Sequence, residues 1–341
     1  MNSLRPVASR SPVLPMGSAP PPPPSAPPPP STAPVRTTLS PHLAGYLRNT
    51  TPVVATAKAP GGGALQDKVD AYLTSARHKY LVDGRTVEAA PQFRMVGGHN
   101  QQNTAKGLAA LAGKMGNKPD QIPLPVVGRV LAGRGSPQEV GRVTQALIDL
   151  GKLPPSAPGK SDAARIQEMM WEHGVGIDCA GYVQQALAAV HGKSKQQMGL
   201  RDSIQEDLGM LDKNPAFKKV NIFDARPGDV ITLRDNNPKQ PGHTVLVARH
   251  DKATGAEMAW RFDLKRPDSA EFLRSKSLDV FEVDSSWGAG RDGTEGGLKR
   301  VLWVHNRETG NWASFDNRGL DMILDTTPYI GHTLVGAYRP Q

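Results

Sequence analysis

Between Ala19 and Pro34 the chain reads APPPPPSAPPPPSTAP, and sixteen of its 31 prolines fall within residues 1–60. Each proline locks φ and has no N–H to donate. Such a run takes polyproline II, which makes no internal hydrogen bonds and has no apolar face to bury. Residues 1–60 are therefore expected to form a disordered arm, and any core must come from the other 281 of the 341 residues. That length suffices for one or two domains. The arm holds five Lys and Arg and no Asp or Glu, so the formal net charge of +9 falls to +4 without it. The pI near 9.6 overstates how basic the folded part is. A spacer and a docking or export segment both fit this composition.

No window approaches the roughly 18 consecutive apolar residues of a membrane span, so no transmembrane segment is expected. The first 20 residues lack an apolar h-region, and a standard secretory signal is not expected either. Cys179 is the one cysteine, which excludes an internal disulfide and any site built on several cysteines. The chain contains no Gly-x-x-x-x-Gly-Lys-Ser/Thr loop, no His-Glu-x-x-His helix and no Cys/His metal spacing. No metal, organic cofactor or nucleic acid is expected as a partner, and the chain reads as a monomer.

Residues 61–155 read as a helical accessory region. Its best segment is Ser136–Gly151, with Ser136 as cap, Pro137 at the first position and Glu139 completing a capping box. Ala64–Arg77 and Thr104–Met115 are weaker helices. No titratable cluster occurs there, and the lone His78 and His99 read as solvated. From Ser161 the signals sharpen. Ala163–His173 is a helix stopped by Gly174. Cys179 to about His191 is a second, capped by Asp178 and stopped by Gly192. After Pro227-Gly228 the period changes to that of strands: Asp229–Leu233, His243–His250, Glu257–Asp263, Val280–Asp284, Arg300–His305 and Thr333–Tyr338. Helices followed by strands predict an α+β domain over 156–341, its helices packed on one face of an antiparallel sheet.

Cys179 lies in Gly176-Ile177-Asp178-Cys179-Ala180-Gly181-Tyr182-Val183. In the first turn of a helix a sulfur faces unpaired N–H groups and the positive end of the macrodipole, which favours the thiolate. Ala180 and Gly181 are small enough to admit a substrate backbone. A buried structural cysteine is the competing reading. His243 opens an apolar strand after Gln240-Pro241-Gly242, held yet accessible as a general base must be. Asp284 ends the strand Phe281-Glu282-Val283-Asp284 and is the preferred third member, with Ser286 on its face. His305 and Asn306, at another strand end, are the competing pair.

These residues carry a resemblance. Asp178-Cys179-Ala180-Gly181 resembles the nucleophile motif of the NlpC-type cell-wall cysteine peptidases, where Ser usually stands in place of Ala180. Arg226-Pro227-Gly228-Asp229-Val230 is similar to their Pro-Gly-Asp-Leu strand, and Gly242-His243-Thr244-Val245 to their His-Val-Gly strand. The segment Asp284–Trp287 is closer to the related CHAP amidases, whose Glu-x-Asn-Trp supplies the orienting acid and amide. The resemblance covers roughly residues 161–341. It implies a papain-like fold with Cys179 as nucleophile, His243 as base, Asp284 as orienter and Ser286 where the amide would stand. The implied activity is hydrolysis of an amide bond in peptidoglycan stem peptides. Residues Asp251–Leu278 form an insertion that could act as a lid or specificity wall. Two rivals remain open: an effector that cleaves, deamidates or acyl-transfers on a protein target, exported by a secretion machine and countered by an inhibitor protein, and a non-catalytic binding module.

Overall fold

In the computed structural model Ser136 caps its helix as the sequence predicts. Its hydroxyl accepts from the Glu139 amide and the Glu139 carboxylate accepts from the Ser136 amide. The structure describes residues 63–94, 100–200, 208–237, 242–262, 272, 274–288, 296–316, 319–324, 327–329 and 331–341. The proline-rich arm and His99 lie outside them. In chain order the elements are α1 (Ala64–Ser75), β1 (His78–Val82), β2 (Arg85–Ala89), α2 (Asn100–Leu111), α3 (Leu124–Leu131), α4 (Pro137–Asp149), α5 (Asp162–Glu172) and α6 (Cys179–His191). There follow β3 (Phe217–Val220), β4 (Val230–Asp235), β5 (His243–Ala253), α7 (Gly255–Phe262), β6 (Leu278–Trp287), β7 (Gly297–Asn306), β8 (Trp312–Asp316), β9 (Gly319–Leu324) and β10 (His332–Pro340).

The strands β3 to β10 form one eight-stranded sheet in the order β3-β10-β4-β5-β6-β7-β8-β9, every pairing antiparallel. Side chains on a strand alternate between faces. One face presents Val230, Leu246, Ala248, Leu298 and Tyr338 to the apolar stripe of α6 (Tyr182, Val183, Ala186, Val190) and to Val69 of α1. The other face carries Ile231, Val245, Val247, Phe281, Val283, Trp287, Val301 and Trp303. The molecule is thus α+β, with helices on an antiparallel sheet.

A second core joins β1, β2, α3, α4 and α5 through Tyr80, Val82, Leu131, Val140, Val143, Leu147, Ile166 and Met170. Packing does not divide at residue 155, because α5 shares this core while α1 packs on the sheet with α6. Region 61–155 is also not all helical. β1 and β2 pair around Asp83 and Gly84, whose φ values of +48° and +76° make the tight turn a hairpin needs. His78 opens that hairpin half-buried against Gly141 of α4 rather than solvated. The strand expected at Glu257–Asp263 is helix α7. Thr254 and Glu257 cap each other, the hydroxyl accepting from the Glu257 amide and the carboxylate from the Thr254 amide. Much of the rest of the expected insertion lies outside the described residues. Among the described residues no helix is long and apolar enough to cross a membrane.

Candidate functional site

Asp178 and Gly192 end α6 as the sequence predicts. Asp178 is extended, and its Oδ1 accepts from the Gly181 amide at 2.5 Å. Gly192 closes the helix at φ +63°. Cys179 is therefore the first residue of α6. The segment before it is anchored on both sides: the Ile177 amide donates to the Gln92 carbonyl (2.9 Å) and the Ile177 carbonyl accepts from the Arg94 amide (3.0 Å). That carbonyl also accepts from the Ser286 hydroxyl at 2.7 Å. Ser286 thus ties β6 to the cysteine loop. Gly181 answers to a close approach within the chain rather than to a substrate. A Cβ there would lie 2.2 Å from the Gly133 carbonyl oxygen.

Helix-start placement alone would favour the Cys179 thiolate, but the surroundings reverse the balance. Burial pushes the thiol up to about 11, and the adjacent Asp178 carboxylate adds to this. The amide and hydroxyl of Thr244 and the charge of Arg134 pull the other way. The Thr244 hydroxyl is buried and meets no partner at full hydrogen-bonding geometry. Asp178 itself is pushed up to about 6 by burial, opposed by Arg134 at 3.4 Å and the amides of Gly181 and Ala180.

The contact with Thr244 brings Cys179 to the start of β5. His243 precedes Thr244, so its Cα lies about 2.4 Å from the Thr244 nitrogen. Thr244 shares a face with Leu246 and Ala248, whereas His243 shares the opposite face with Val245 and Val247. The imidazole lies against Trp287 (centroids 4.6 Å apart) and Tyr329 (5.1 Å). Among the described residues its Nε2 is buried without a partner. Among the described residues no hydrogen bond joins it to Cys179 or to any acid. Burial, with a smaller contribution from His332, pushes the imidazole down to about 3. At neutral pH this site holds a neutral thiol and a neutral imidazole rather than an ion pair.

Asp284 does not face His243. It pairs across the ladder with Leu246, on the α6 face. There it is fully buried and bound by both arms of Arg300, at 2.7 and 2.8 Å. Arg300 also reaches Asp70 of α1 at 2.7 Å. Burial raises the Asp284 carboxyl and Arg300 opposes the rise. The β6 residues on the His243 face at this end of the strand are Ser285 and Trp287. Ser285 donates to the Thr244 carbonyl at 2.7 Å, fixing the end of β5. Period-2 alternation in Phe281–Trp287 could have separated Asp284 from Trp287. It could not say which face His243 takes, because every residue from Val245 to Ala248 is apolar.

His305 lies opposite Asp279 on the ladder, whereas Trp287 lies opposite Gly297. Eight residues of strand at ~3.3 Å each put it roughly 26 Å from the His243 end. It packs at a tilt against Trp312 and Phe223 and faces Asp279 at 3.7 Å. The adjacent Asn306 is buried and accepts from the Ser275 hydroxyl at 3.0 Å. Among the described residues no group of three or more His, Cys, Asp or Glu could hold a metal ion. No protein-family model, curated protein or solved structure matches the chain, so its resemblance to the NlpC-type and CHAP enzymes rests on its own residues.

Proposed function

We propose that the chain is a papain-like cysteine hydrolase acting on amide bonds, with Cys179 as nucleophile and His243 as base. The observation that carries this reading is the approach of Thr244 to the Cys179 sulfur, which sets a helix-start cysteine beside the strand that begins with His243. In this reading His243 takes the thiol proton as the sulfur attacks the carbonyl carbon. The N–H of Cys179, at a helix start with no carbonyl one turn earlier, stabilises the oxyanion. The imidazolium then protonates the leaving amine. Water hydrolyses the thioester, releasing the acid and restoring the thiol. Because thiol and imidazole start neutral, the proton moves during attack rather than beforehand.

By resemblance the substrate is a peptidoglycan stem peptide, cut as an endopeptidase or amidase. Digesting purified peptidoglycan with the wild type and with Cys179→Ala, and weighing the fragments, tests this. New amine or carboxyl ends from the wild type alone support it. If peptidoglycan stays intact while a protein target is modified in a Cys179-dependent way, the exported-effector reading takes its place. One observation favours a non-catalytic binding module: burial disfavours both the thiolate and the imidazolium. Absence of any Cys179-dependent product from either substrate class would select that reading.

A further inference from the structure

Thr244 is 7% exposed, and its hydroxyl is enclosed without a partner at hydrogen-bonding geometry. A buried hydroxyl in that condition costs stability, and a role in another protonation state of the site would explain its retention. Ser286, on the same sheet face, grips the carbonyl of Ile177, two residues before Cys179. Ser285 holds the Thr244 carbonyl from β6. The strand end and the cysteine loop are therefore fastened to one another by two hydroxyls. The Thr244 amide and hydroxyl both face the sulfur.

We propose that the Thr244 hydroxyl and amide form a two-donor cradle for the Cys179 sulfur in its anionic form, making Thr244 a further member of the site that acts on the nucleophile rather than on the base. This rests on the nucleophile assignment above. When the proton leaves, the O–H of Thr244 turns to donate to S⁻, and a group left unsatisfied in the thiol state becomes satisfied. The cradle acts on the sulfur itself, so its effect on thiolate formation needs no help from His243.

The test is the rate at which iodoacetamide alkylates Cys179 as a function of pH, measured on the full chain. Cys179 is the only cysteine, so intact mass reports its modification directly. Thr244→Val keeps the shape and removes the donor, and alkylation at pH 8 should slow about tenfold, the worth of a hydrogen bond to a charged group. Thr244→Ser keeps the donor and should retain the wild-type profile. Thr244→Ala provides the same comparison if the valine variant does not fold. An unchanged rate in Thr244→Val overturns the proposal, as does a Thr244→Ser rate as slow as that of Thr244→Val. Hydrolysis is scored separately. A wild type that cleaves nothing but shows this alkylation pattern removes the proposed function and leaves the cradle standing.

Discussion

Asp284→Asn separates a structural carboxylate from a catalytic one. Asp284 is fully buried and held by two arms of Arg300. Asparagine keeps the shape but leaves Arg300 facing an amide in the interior, where breaking a buried pair costs about 3–5 kcal/mol. Arg300 retains Asp70 at 2.7 Å and Glu282 at 3.4 Å, so the lower end of that range, about 3 kcal/mol, applies. At roughly 2–3 °C per kcal/mol for a chain of this size, the melting temperature should fall by about 6–9 °C. Turnover per folded molecule, measured well below the transition, should be nearly unchanged. The double variant Asp284→Leu/Arg300→Leu should regain only part of the loss, because it removes the pair but takes Arg300 away from Asp70 and Glu282. Circular dichroism melts and single-turnover assays on the three proteins read both quantities. An unchanged melting temperature with turnover lost would refute this reasoning and return Asp284 to the role the sequence suggested.

Three further outcomes follow from the same geometry. Asp178→Asn should keep the helix cap and remove a charge that holds the thiol up, so Cys179 should alkylate faster at pH 8; a slower rate contradicts the assigned cause. Gly181→Ala should destabilise by about 1–3 kcal/mol in a denaturant melt, because its Cβ meets the Gly133 carbonyl, and a neutral effect would show that this approach is slack. For His243, whose folded value is pushed from 6.5 to about 3, the unfolded chain binds a proton that the folded chain refuses, so its contribution to stability is lost as pH falls through that window. Replacing it by phenylalanine should make the melt less sensitive to acid, by up to about 3 kcal/mol between pH 6.5 and 4. Equal acid sensitivity in both proteins would show that His243 is not held neutral.

The parts of the fold legible in the sequence are those governed by local chemistry. Ser136–Glu139, Asp178 and Gly192 mark helix ends by side-chain caps and a left-handed stop, and the structure uses each of them. The β1–β2 hairpin carried a signal in Asp83-Gly84, which the helical composition around it hides. The strand expected at Glu257–Asp263 gives way to helix α7 because Thr254 and Glu257 form a cap that outweighs the strand-like residues. The site was legible only in part. Cys179 at a helix start and His243 at a strand start follow from local pattern, and their approach through Thr244 needs the fold. Asp284 and Ser285 are neighbours in sequence on opposite faces of β6, and which of them meets β5 near His243 depends on ladder register. Period alone does not supply that register. The sign of the thiol's shift was also beyond the sequence, because burial and Asp178 together outweigh the helix start.

The most direct test of the account is rapid-quench mass spectrometry of the wild type with a labelled peptidoglycan stem peptide, looking for a thioester on the peptide that contains Cys179. The account predicts an adduct of acyl-fragment mass on Cys179 that forms and decays during turnover, none in Cys179→Ala, and slowed formation in His243→Ala. Product release by Cys179→Ala at the wild-type rate, or turnover by the wild type with the acyl group on another residue, would contradict it.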